Sequence, residues 1–287
     1  MKRTLLLAAV LVAGLASPGW AVTYFSDNFA TYANGNLIGP PNAAGGWLQT
    51  QSQSTLPLQV VSGEVVIPGG QTGNNQDAVK SFGSVILPPG SGSTSVYVGL
   101  DLTVNSAPVI GGSITNSSYF VALDNATDGS GFDNERVAAI DNSANVPGTY
   151  LLQARVTGQA GSPFVTGTIP LNYGQQYNIV MEATLTSVGT DEVINLYVNP
   201  TNGNQLMQTL YLSSPIAGGT PLTGLGALVI SQFQSASTGI SAVDIGGARA
   251  ASTFAEAAGL AVPEPSSCAL AALAAGSLAL VRLRRRK

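Results

Sequence analysis

The 287-residue chain contains no histidine and a single cysteine, Cys268. Without histidine, Ser-His-Asp and Cys-His catalysis, ordinary zinc sites and haem ligation by imidazole are excluded. One cysteine alone forms no intramolecular disulfide. Charge is scarce as well, at 9% of residues, with 11 basic against 15 acidic side chains and a net charge of -4. The basic residues are unevenly spread. Seven of them, Lys2, Arg3, Arg282, Arg284, Arg285, Arg286 and Lys287, lie at the two ends. From Val22 to Pro265 only Lys80, Arg136, Arg155 and Arg249 remain, against all 15 acids, so this stretch carries a net charge of -11. Such a surface repels phosphate backbones and anionic lipid and favours cations, which excludes nucleic-acid binding. Between residues 22 and 251 helical periodicity is also missing, with no convincing helix.

What is present begins with the two ends. Met1-Lys2-Arg3 is a charged start, Leu5 to Ala16 is apolar, and Gly19-Trp20-Ala21 offers small residues where a signal peptidase reads. This predicts a signal helix over 1–21, removed by cleavage after Ala21. At the other end, Pro263-Glu264-Pro265 precedes an apolar run from Cys268 to Val281 and then Arg282, Arg284, Arg285, Arg286 and Lys287. The run is 14 residues, or about 21 Å as a helix. That is short of a full membrane span, but Leu283 and snorkelling arginines bring it close. The basic cluster belongs on the cytoplasmic side. A plain C-terminal anchor is one reading. The order Pro-Glu-Pro, short helix, arginines also resembles the PEP-CTERM sorting signal of exported bacterial proteins, covering 262–287. The resemblance implies export to the cell surface, outer envelope or extracellular matrix, with transient anchoring in the inner membrane. It also implies processing by an exosortase-type membrane peptidase and a link to exopolysaccharide or biofilm.

Between the ends, period-2 alternation recurs, the sign of half-buried strands. Val96, Val98, Leu100, Leu102 and Val104 share one face, as do Tyr177, Ile179, Met181, Ala183 and Leu185, and Ile194, Leu196 and Val198. Ser187 to Asp191 has hairpin chemistry between the last two segments. Shorter candidates are Leu58–Val61, Glu64–Ile67, Val79–Phe82, Tyr119–Leu123, Arg136–Ile140, Tyr150–Val156, Leu206–Leu212, Ala227–Ser231 and Ile240–Ile245. Many short strands over this length predict one all-β domain over 22–250, a two-sheet antiparallel jelly-roll sandwich. A β-helix is the alternative, and it lacks the fixed repeat it requires. Residues 251–261 read as a linker to the 262–287 tail, with one helical turn over Ala255 to Ala261 as the alternative.

Asp27-Asn28-Phe29 through Leu37, with Gly45-Gly46-Trp47, resembles the opening of concanavalin A-like lectin/glucanase sandwiches in PEP-CTERM proteins. Asn195 to Thr201 resembles a late strand and turn of that group. Val243-Asp244-Ile245-Gly246 with Thr253-Phe254-Ala255-Glu256 resembles its closing strand. The resemblance implies a fold, since the group hosts many activities.

Glycoside hydrolysis needs two carboxylates flanking one bond. The alternating acids that glucanases of this fold carry on one strand are missing. Asp101 and Glu182 are isolated, and Asp191 and Glu192 are adjacent, so their side chains diverge. The segment from Asp124 to Glu135 concentrates acids and asparagines around glycines. Solvated Asx turns are its main reading. Calcium is the second, with Asp124, Asn125, Asp128 and Asp133 as oxygen donors, although the spacing is not that of an EF-hand. Trp47 is the candidate for stacking on a sugar ring, beside Phe132, Tyr150 and Phe164, with core packing as the alternative for each. The expected role is a non-enzymatic surface or matrix protein that recognises polysaccharide; a polysaccharide hydrolase and a purely structural or adhesive protein are the alternatives.

Overall fold

Alternation in the longest apolar segments sets the architecture. In strand Ser93–Ser106, Val96, Val98, Leu100, Leu102 and Val104 are at most 1% exposed, and its antiparallel neighbour Gln176–Thr186 buries Ile179, Met181, Ala183 and Leu185 at 0%. Both strands therefore turn one row of side chains inward, as their spacing predicts. The structure, a computed structural model, describes residues 21–49, 57–69, 77–86, 92–107, 109–110, 113–114, 119–125, 133–156, 164–186, 193–201, 203, 205, 208–215, 224–232 and 241–260. The signal segment before residue 21, the sorting tail from 262, the turn at 187–191, Asp128 and Phe132 lie outside these residues. No helix among the described residues is long and apolar enough to cross a membrane.

Two antiparallel sheets face each other across one core, as the two-sheet sandwich reading requires. The larger sheet runs in the order 210–215, 193–198, 176–186, 93–106, 242–251, 64–67, 59–61, 35–36, with strand Thr23–Asn28 also pairing with 242–251. The smaller runs 165–166, 149–156, 133–141, 121–124, 224–230, 78–86, 48–49, with 171–172 also on 149–156. A separate two-stranded ribbon joins Val109–Ile110 to Ser113–Ile114. The core contains Phe29, Leu100 and Ile179 from one side and Trp47, Phe120, Leu123, Leu152 and Leu228 from the other.

Strand Ala242–Ala251 has two partners on one edge. Val243–Ile245 pair with strand Glu64–Ile67, and Gly247–Ala251 with strand Thr23–Asn28; its register against 93–106 slips between Ile245 and Gly247. The bulge at Gly246–Gly247 marks the change of partner. Between 59–61 and 64–67 the loop is Ser62-Gly63, with φ of 53° and 86°. Positive φ at both central residues is the two-residue hairpin geometry whose twist matches the strands.

Residues 252–260 depart from the linker expected there. The closing strand ends at Ala251, and Phe254–Ala257 forms a helical turn capped by the Thr253 side chain. Phe254 is 4% exposed and stands edge-on to Tyr97 and Tyr197, with centroids 6.1 and 5.0 Å away. An aromatic anchor landing between two others converts an apparent linker into part of the body. The compact unit accordingly extends from Thr23 to Leu260.

Candidate functional site

Strand Thr23–Asn28 ends by placing Asp27 at the margin of the sandwich, 8% exposed. The Asn28 side chain accepts from the Ala30 amide, 3.0 Å away, and starts a 3-10 turn at Phe29–Thr31. That turn returns Tyr32 so that its hydroxyl donates to Asp27 Oδ2 at 2.8 Å. Trp47 donates its indole N–H to the same oxygen, also at 2.8 Å. From the opposite sheet, Lys80 brings its Nζ to 3.7 Å from Oδ2 and donates to the Gly45 carbonyl. One carboxylate oxygen thus ties together both sheets and two aromatic side chains.

The loop that closes over this group is held by Asn42, which is 6% exposed. Its amide accepts from the Ala33 N–H at 3.0 Å and donates to the Ala33 and Asn36 carbonyls, each at 2.9 Å. Gly45 has no room for a side chain, because a Cβ there would lie 2.1 Å from the Tyr32 hydroxyl. Burial, with the charge and hydrogen bond of Asp27, raises the Tyr32 pKa, so its hydroxyl stays a donor. The result is a cleft of about 530 Å³ lined by Ser26, Asp27, Thr31, Tyr32, Asn42 and Lys80 among others. It presents hydroxyls, a carboxylate and an ammonium, groups that pair with the hydroxyls of a sugar. The Lys80 ammonium lies between Asp27 and the Gly45 carbonyl.

Trp47, expected as a stacking surface, is 3% exposed and lies 6.5 Å from Phe25 and 5.8 Å from Phe29, centroid to centroid. Its ring is covered by the core, so it serves the site through its N–H. Tyr150 is also fully buried. Phe164 is half-buried beneath the Arg155 guanidinium, 4.6 Å from the ring centre. Of the calcium candidates, Asp124 is 1% exposed and opposes Asp133 across a bulge, Asn125 is exposed, and Asp128 lies outside the described residues. Among the described residues no group of three His, Cys, Asp or Glu could hold a metal.

The isolated acids are engaged elsewhere. Asp101 pairs with Arg249 at 3.1 Å and accepts from Asn178 at 2.8 Å. Glu182, 6% exposed, collects Ser95, Tyr97, Asn195, Tyr197 and Gln205. Glu64 differs: burial and then the charge of Asp244 raise its pKa. Lys80, Tyr32 and Asn42 were not singled out from the sequence. Tyr32 lies inside the opening motif, but nothing local points from Asp27 to a lysine in the opposite sheet.

No curated protein matches the chain. Among solved structures, it is similar to the CBM2 module of the Lactobacillus casei BL23 phage J-1 evolved Dit, with 12% identity, a TM-score of 0.44, and 82% of this chain and 97% of that one covered. An endo-1,3-beta-glucanase from Streptomyces sioyaensis gives 12%, 0.38, 82% and 98% in the same order. Peanut lectin gives 10%, 0.35, 81% and 97%. In the tail, residues 261–287 match the family described as the PEP-CTERM protein-sorting motif. The chain therefore carries the sorting signal of exported proteins that exosortase processes, attached to a sandwich body.

Proposed function

We propose that the exported body recognises polysaccharide without cleaving it, at the cell surface or in an exopolysaccharide matrix. The Asp27 cleft carries this reading. Its polar groups are positioned by one another rather than by a ligand, as a preorganised binding site requires. Asp27 is the one carboxylate among its described lining residues, whereas hydrolysis of a glycosidic bond takes two. In this reading the chain is cleaved after Ala21 on export, and the tail beginning with Pro263-Glu264-Pro265 is handed to exosortase. The test is a glycan array probed with the exported chain and with Ala44→Trp, which fills the mouth from an exposed position. Binding that the tryptophan abolishes is expected. Silence across the array, or binding indifferent to the substitution, overturns the reading.

One observation favours a hydrolase as the second reading. Burial and then the charge of Asp244 raise the Glu64 pKa, the direction a general acid requires. A Cβ at Gly246 would lie 3.1 Å from Gln176 Nε2 and 3.6 Å from Glu64 Oε1, so the glycine lets both side chains come close to the backbone there. Release of reducing ends, lost in Glu64→Gln, would establish it. Calcium at Asp124, Asn125, Asp128 and Asp133 is a separate proposal, tested by melting the chain with calcium and with chelator.

A further inference from the structure

The folded body and the sorting signal meet without a spacer. Leu260 is the last residue of the compact unit, and the match to the sorting motif begins at residue 261. Pro263 follows Leu260 by three residues, at most about 10 Å of chain. A domain of about 240 residues has a radius of gyration of about 18 Å, well beyond that reach. A peptidase cuts opened, extended chain rather than chain held in a fold. What happens to the last few residues of the body therefore decides how freely the motif can be taken.

Those residues form a finished unit. Thr253 caps the start of the helical turn. At its end Gly259 takes a φ of 68°, its N–H donates to the Glu256 carbonyl at 3.0 Å, and the Leu260 N–H donates to the Ala255 carbonyl at 2.9 Å. This pair of bonds closes a helix through a left-handed glycine. Four helical residues do not keep their shape alone, so the seat supplies the stability. Phe254 stands between Tyr97 and Tyr197, Ala257 is fully buried, and Leu260 packs on the same cluster. Arg249 Nε donates to the Ala257 carbonyl and the Thr23 hydroxyl to Glu256 Oε1, each at 3.1 Å. The turn belongs to neither sheet. It can leave as a unit without breaking a ladder, which puts it at the low end of local stability. Its release frees Ser252 to Leu260, nine residues, or about 30 Å of additional reach.

We infer that residues 252–260 are a latch on processing. Docked, they keep Pro263-Glu264-Pro265 too close to the sandwich for the membrane peptidase; released, they present it. The inference rests on the reading that exosortase takes the tail, and adds what sets the rate. Opening is fast and cutting slow in such a system, so tail removal follows the population of the released turn. The docked turn thereby prolongs the anchored stage of an otherwise completed body.

The experiment follows tail loss in the exporting cell by pulse-chase, with the product identified by its intact mass. Four chains are compared: the unaltered one, Phe254→Ala, one with a flexible Gly-Ser spacer of about ten residues between Leu260 and Ala261, and one with both changes. Phe254→Ala and the spacer are each expected to speed tail loss severalfold. In the double variant the substitution is expected to add nothing, because the spacer already supplies the reach. The spacer leaves the turn and its seat intact, so faster loss from that chain cannot come from a damaged fold. A spacer without effect on the rate overturns the latch, since access is then not limiting. Slower loss in Phe254→Ala also overturns it, and shows that the peptidase reads the docked turn. A tail retained by all four chains defeats the exosortase reading itself.

Discussion

Asp27 holds its surroundings through one oxygen, and its partners are unequal. Removing the carboxylate in Asp27→Ala leaves Lys80, with 19% of its side chain exposed, without its acid, and leaves Trp47 and Tyr32 with no acceptor. Breaking a buried pair in this way costs about 3–5 kcal/mol. Lys80→Met leaves Asp27 its two neutral donors, so urea unfolding is expected to show a clearly smaller loss; the reverse order would mean that the lysine, not the acid, organises the site. Tyr97 and Tyr211 are pushed up from 10.0 to about 12, chiefly by burial. A folded-state pKa above the unfolded one supports the fold fully below pH 10, and that support is lost as pH rises to about 12. Tyrosinate absorbance followed with circular dichroism should show these two titrating late or together with unfolding; ionisation near pH 10 in an intact fold would contradict the structure. At this scale little of the site was legible. Asp27 and Trp47 stood in a recognisable motif, but hydrogen bonding to a residue in the opposite sheet leaves no spacing rule.

Elements were easier to read where one face meets the core throughout. Strands 93–106 and 176–186 were legible because the sheet's period of two is written in their aliphatic residues, whereas their ends and the pairing order were not. The helical turn after Ala251 shows the opposite case. Thr253-Phe254-Ala255-Glu256 fits a capping box, with Thr253 accepting from the Glu256 amide. Four residues are too few for a periodic signal, and the alanines around them read equally well as a spacer. Its seat depends on Gly99, where a Cβ would come within 1.7 Å of the Ala257 carbonyl oxygen. Gly99→Ala should therefore lift the turn and cost about 1–3 kcal/mol. A chain ending at Ala251 should lose stability by a similar route, since Phe254 leaves the gap between Tyr97 and Tyr197. Equal melting temperatures for chains ending at Ala251 and Leu260 would show that the turn is ornamental.

For the molecule as a whole, an excess of acid over base predicts self-repulsion that salt relieves. The melting temperature should rise from low to physiological ionic strength, because the Asp27–Lys80 pair is buried and weakly screened. A fall would mean that exposed pairs such as Asp101–Arg249 dominate. The topology adds a constraint of another kind. Strand 242–251, the last in the chain, lies between 93–106 on one side and both 64–67 and 23–28 on the other. Contacts this distant in sequence form slowly, because the intervening chain must close as a loop before they can reward it. The larger sheet is thus incomplete until residue 251 is present, because the strands on either side of 242–251 meet only through it.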